Sequence, residues 1–185
     1  MLLRFPMNKD TSTSRFDPDL NPIILRGLAQ MGIETPTMIQ EQSLPAALAG
    51  RDLVGIAPTG TGKTLAYVVP LAQRLLSEPP PVVKGRGVDA RRRLRALVLC
   101  PVRELAQQVA EEARTLFKGS VLKSRAVYGK AALKPQKDAI AGGVDLVVGT
   151  PGRLRELIDC GAMSLTNIRH VVVDEGDRML DLGFL

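Results

Sequence analysis

Two short stretches hold residue types and spacings suited to phosphate chemistry. The first, Ala57-Pro58-Thr59-Gly60-Thr61-Gly62-Lys63-Thr64, follows a short apolar run and precedes a helical pattern. Gly60 and Gly62 let successive backbone N–H groups curl around an anion, which a Cβ would obstruct. A helix opening near Lys63 aims its unpaired amides and positive dipole end at the same anion. Lys63 can reach the outer phosphates of a nucleotide, and the Thr64 hydroxyl can ligate Mg²⁺. The same letters could form a Gly-Thr turn that binds nothing. The order strand, loop, helix favours a P-loop, with Ala57 in place of its first glycine.

The second stretch is Asp174-Glu175-Gly176-Asp177, directly after Val171-Val172-Val173. An acid at the carboxyl end of a buried strand lies at the sheet edge where a P-loop also opens. Asp174 is placed to bind Mg²⁺ through water, and Glu175 to orient or deprotonate an attacking water. Alone, the segment reads as an acidic turn capping a strand. Beside a P-loop, the metal and water roles become the better reading.

Positioning these groups requires a regular scaffold, and the hydrophobic pattern supplies one. Strands are expected over 52–57, 95–100, 122–128, 144–149 and 168–173, four of them dense in Val and Leu as strands buried on both faces should be. Helices are expected over 63–76, 103–117, 134–141 and 153–160, with two more, 20–31 and 37–49, ahead of the first strand. This alternation implies an α/β fold, a mostly parallel central sheet with helices on both faces.

Composition narrows the class further. The chain has 185 residues, 45% of them apolar, enough for one domain with a core. Its longest apolar run, 65–72, is far too short for a membrane span. The opening Met1-Leu2-Leu3-Arg4-Phe5-Pro6 makes a poor secretory signal. Cys100 and Cys160 form no C-x-x-C, and His170 is the single histidine, so no zinc-site spacing exists. A soluble, cytoplasmic protein without membrane partners is expected. Of the net +6, nearly all comes from Lys84, Arg86, Arg91, Arg92, Arg93 and Arg95 against one acid, Asp89. With Pro79, Pro80, Pro81, Gly85 and Gly87 nearby, residues 78–94 read as a flexible basic loop, with a phosphate-contacting arm as the alternative.

Further motifs carry a resemblance. Asp174-Glu175-Gly176-Asp177 resembles the signature of DEAD-box RNA helicases. Gly32-Ile33-Glu34-Thr35-Pro36-Thr37-Met38-Ile39-Gln40 resembles that family's Q motif, with Phe16 at the expected upstream distance. Pro101-Val102-Arg103-Glu104-Leu105-Ala106 resembles motif Ia, and Thr150-Pro151-Gly152-Arg153 resembles motif Ib. The match runs from Phe16 to the chain end, in the family's order, with a bacterial look.

The resemblance implies a RecA-like P-loop NTPase domain over 16–185, preceded by an N-terminal extension, 1–15. It implies ATP and Mg²⁺ as cofactors and RNA as a partner gripped by its backbone, without sequence specificity. Gln40 would pair with the adenine edge and Phe16 would lie near the base, alongside Thr59, Gly60, Thr61, Gly62, Lys63 and Thr64 on the phosphates. Pro101, Arg103, Gly129, Thr150, Gly152 and Arg153 would contact RNA. Lys63 and Glu175 would be catalytic, with Thr64 and Asp174 at the metal.

Four positions depart from the family pattern: Ile33 for an aromatic, Val102 for a threonine, Lys130 in a glycine pair, and Gly176 for an alanine. Lys130 restricts the backbone and adds a charge near RNA. The resemblance also implies a further Ser-Ala-Thr strand, a linker and a second RecA-like domain after the acidic motif. Residues 16–185 are therefore expected to be incomplete at the C-terminus, with little turnover alone. A catalytically silent nucleotide- or RNA-holding module is the alternative. A different P-loop NTPase is a third reading, opposed by Gln40, Phe16 and the 150–153 segment.

Overall fold

The computed structural model describes residues 2–4 by backbone, and 15–78 and 94–184 in full. The chain forms two compact units, Met1–Glu78 with Thr115–Ser120, and Pro79–Arg114 with Val121–Leu185. The first holds β1 (Leu2–Arg4), α1 (Pro22–Gln30), α2 (Met38–Leu48), β2 (Val54–Ile56) and α3 (Lys63–Ser77). Asn21 caps α1 by accepting from Ile23 N at 3.0 Å, and Pro22 fits the first turn, where its missing N–H costs nothing. In α3, Leu65, Val68, Val69, Ala72 and Leu75 recur at helical spacing and are buried, with α2 packed against this helix. β1 pairs with β2 in parallel, Leu3 opposite Gly55.

The second unit holds β3 (Ala96–Leu99), α4 (Arg103–Leu116, whose last two residues belong to the first unit), β4 (Ser124–Val127), α5 (Leu133–Ala141), β5 (Leu146–Gly149), α6 (Pro151–Asp159), β6 (His170–Val173) and α7 (Gly176–Asp181). Its sheet is parallel throughout, in the order β4-β5-β3-β6. All four residues of β5 are buried, as an interior strand of Leu and Val should be. Leu97, Val127, Val147, Ile140, Leu154 and Leu157 form its core.

The α/β class and the parallel pairing agree with the sequence reading. Three features differ. Among the described residues the strands form a two-stranded and a four-stranded sheet, with β2 paired only with β1 and β6 only with β3. The strand β1 and the short helix α7 have no counterpart among the expected elements. Arg95, counted above with the exposed basic run, is buried and ion-paired to Asp145 at 2.9 Å, because strand pairing draws it inside. The expected basic loop lies outside the described residues apart from its two ends, as does most of the N-terminal extension. Among the described residues no helix is long and apolar enough to cross a membrane.

Candidate functional site

In the first unit the strand β2 ends and the chain turns through Gly60 and Gly62, whose φ angles are 81° and 89°. Gly62 caps α3, so the amides of that helix open onto the loop. A Cβ at Gly60 would meet nothing within 4 Å, whereas one at Gly62 would lie 2.5 Å from Gln40 Nε2. Gln40 is the reason: its Nε2 donates to Gly62 O at 2.9 Å, while its Oε1 accepts from Thr37 N at 3.0 Å. The glutamine thus ties the start of α2 to the phosphate loop, and it is 2% exposed. Each end of its amide has bonding capacity left. Phe16 is in the core of this unit. Lys63 Nζ donates to Ala57 O at 2.7 Å and Thr61 Oγ1 to Pro58 O at 2.8 Å, so the loop holds its own shape. Thr59 is exposed and Thr64 half-buried.

In the second unit the strand register does the positioning. Val127, Gly149, Leu99 and Val173 form one row across the sheet. The segments that follow them therefore leave side by side along the carboxyl edge: Tyr128–Lys130, then 150–153, then 100–103, then Asp174 and Glu175. The candidate site residues Pro101, Arg103, Gly129, Thr150, Gly152, Arg153, Asp174 and Glu175 all belong to these segments, at the edge where open parallel sheets bind ligands. Gly129 and Gly152 are open, since a Cβ on either meets nothing within 4 Å. Thr150 and Pro151 open α6, and its unpaired amides face the edge. Pro101 is buried, and Arg103 is exposed and bonded to Glu104 at 2.8 Å.

Arg153 is placed differently from a surface RNA contact. It is 7% exposed, its Nη2 donates to Ala131 O and its Nε to Glu156, both at 2.9 Å. Its Nη1 is buried without a partner among the described residues. The guanidinium thus fastens the loop after β4 to α6.

Asp174 is buried and accepts from Glu175 N at 3.0 Å. Glu175 has φ 49°, uncommon for a residue with a side chain, and its carboxylate meets Arg178 at 3.2 Å. Gly176 opens α7, and a methyl there would touch Val173 at 3.4 Å, an ordinary fit, so an alanine would be accommodated. Burial, then Asp174, then Glu175 push the Cys100 thiol up to about 12. Glu112 is likewise raised, by burial first and with Asp174 adding, while a hydrogen bond from Gln108 opposes both. The acids around Asp174 create a negative field that favours a cation. Among the described residues no group of three or more His, Cys, Asp or Glu is arranged to cage a metal. One buried carboxylate suits Mg²⁺, which keeps waters and takes phosphate oxygens for the remainder of its shell.

Several positioning residues carried no signal in the sequence. Gln136 holds Tyr128 by both backbone groups, Oε1 to N at 3.1 Å and Nε2 to O at 3.2 Å, and Gln107 bonds the Tyr128 hydroxyl. Such bonds depend on tertiary placement, and no local pattern announces them.

Comparison with known proteins accords with this geometry. The family model for DEAD/DEAH box helicases matches residues 37–185. The ATP-dependent RNA helicase RhlB of Shewanella sp. (strain W3-18-1) is 43% identical over 175 residues, 94% of this chain and 39% of that protein. DEAD-box ATP-dependent RNA helicase 30 of Arabidopsis thaliana is 41% identical over 167 residues, 87% of this chain and 26% of that protein. The chain thus spans well under half the length of these curated relatives. A DEAD box protein from the hyperthermophile Methanococcus jannaschii superposes with a TM-score of 0.77 at 33% identity, over 96% of this chain and 45% of that one. The yeast DEAD-box splicing factor Prp28 gives 0.78 at 28% identity, over 95% and 42%. The family-model match over residues 37–185, with relatives 41–43% identical over most of the sequence, places this chain in the DEAD/DEAH box helicase family.

Proposed function

We propose that this chain is the ATP-binding, RNA-contacting RecA-like part of a cytoplasmic ATP-dependent RNA helicase. Lys63 leaves Ala57 O to meet the outer phosphates, and the amides at the start of α3 hold the rest of the chain of phosphates. Gln40 uses its remaining bonding capacity on the adenine edge and transmits occupancy to Gly62, while Phe16 supports that wall from the core. Thr64, at the start of α3, and Asp174, at the carboxyl end of β6, are the residues that would hold Mg²⁺, which would supply charge neutralisation when bound. Glu175 orients or deprotonates the attacking water. RNA lies along the carboxyl edge of β4, β5 and β3, held through Gly129, Thr150, Gly152, Pro101 and Arg103, with Arg153 positioning the loop after β4 from within.

In the complete protein, ATP and RNA draw a second RecA-like domain closed and bend one strand out of a short duplex. That domain would bring an arginine finger worth about 10³–10⁵ in rate, so turnover by this chain alone is small. The carrying observation is the phosphate loop: two left-handed glycines ahead of a fifteen-residue helix, with Gln40 fastened to the second of them. A Mg²⁺-dependent titration with ATP, ADP and GTP tests it. Saturable, adenine-selective binding that Gln40→Ala abolishes is expected. A well-folded chain that binds no nucleotide would overturn the proposal.

A further inference from the structure

Lys130 is one of two residues with a side chain in the left-handed region among the described residues, at φ 57°; the other is Glu175. A lysine is disfavoured there relative to glycine, so its presence calls for a compensating role. The loop that carries it is fixed from three sides. Gln136 of α5 grips both backbone groups of Tyr128, and Gln107 of α4 donates to the Tyr128 hydroxyl at 2.8 Å. Arg153 of α6 donates to Ala131 O. Lys130 itself is exposed, and no acid among the described residues neutralises it. It follows Gly129 directly, and the Arg153 bond to Ala131 O joins its loop to the 150–153 segment, on the edge where RNA is proposed to lie.

We infer that Lys130 is an additional RNA-phosphate contact, its ammonium presented beside Gly129 by the clamped loop, and that Arg153 positions this loop. The inference rests on the RNA-binding reading above. A glycine pair would offer only backbone amides here; the lysine adds a full charge at a fixed point. One neutralised phosphate on a single strand contributes about 0.7 to the slope of log affinity against log salt.

Fluorescence anisotropy of a labelled single-stranded oligouridylate, titrated with the full chain from 50 to 200 mM salt, reads that slope. Lys130→Met keeps the backbone conformation and removes the charge. Its affinity should fall, its slope should drop by about 0.7, and its deficit should shrink about 2.6-fold across that salt range. Lys130→Arg should retain affinity and slope. If Lys130→Met binds with the parent slope and affinity, or Lys130→Arg loses as much as Lys130→Met, the contact is overturned. An unaltered chain that binds no oligouridylate overturns the RNA reading as well, and does so before any variant is made.

Discussion

Cys100 shows how closely charge is managed at the acidic edge. Its thiol lies beside Asp174 and Glu175, and burial followed by these two carboxylates lifts it from 9.0 to about 12. An unfolded thiol ionises first, so between those two values the unfolded state binds fewer protons than the folded one. Stability from this group is complete below 9.0 and is lost as pH rises toward 12, by up to about 1.4 kcal/mol per pH unit. Urea melts across that range should show a decline that Cys100→Ala flattens; identical pH profiles for the two proteins would sink the assignment. Glu175 adds backbone strain of about 1–3 kcal/mol at the residue proposed to activate water. Strain and like charge gather on one row of residues, as they do where a site is prepared for a cation.

At the scale of elements, the opposite edge of the four-stranded sheet is held by one ion pair. Asp145 is buried, its Oδ1 accepting from Arg95 Nη2 at 2.9 Å and its Oδ2 from Lys123 N at 3.0 Å. Its backbone O takes both Arg95 N and Ala96 N, so the residue fastens the starts of β3, β4 and β5 together. Asp145→Ala would take the carboxylate away from a buried guanidinium and should cost about 3–5 kcal/mol in a denaturant melt. Replacing both partners, Arg95→Met with Asp145→Leu, should recover most of that loss; no recovery would mean that the bond from Lys123 N matters more than the charge.

Arg95 also marks the limit of what the sequence discloses about elements. Strands buried on both faces read as apolar runs, so β3 to β6 were legible to within about two residues, and α1 to α6 followed from their spacing, whereas the six-residue α7 is too short to show a period. Arg95 closes a run of basic residues and looks like surface; its partner lies fifty positions away. β1 is three residues joined to β2 by backbone bonds, which leave no side-chain pattern. At the site, the glycines and acids were legible because their chemistry demands particular residue types. The inward turn of Arg153 and the grip of Gln136 were not, because any helix surface could carry those letters.

For the whole molecule, the two sheets leave apolar strands at their borders. Val171 and Val173 of β6 are 59% and 48% exposed, and Val54 and Ile56 of β2 are 57% and 49% exposed. Among the described residues each of these strands has a single partner. An exposed apolar edge with free backbone groups is a template for pairing with another chain, and a lysine on the edge is the usual remedy. The net charge of +6 gives general repulsion, but most of it resides in residues 84–95, away in sequence from either edge. It should therefore protect the borders poorly. At concentrations where the parent chain self-associates by light scattering, Val171→Lys with Val173→Thr should remain monomeric. Its denaturant midpoint should shift little, since exposed substitutions usually stay within about 0.5 kcal/mol. If association persists unchanged, β6 is not the sticking edge, and the same pair of changes on Val54 and Ile56 becomes the decisive comparison.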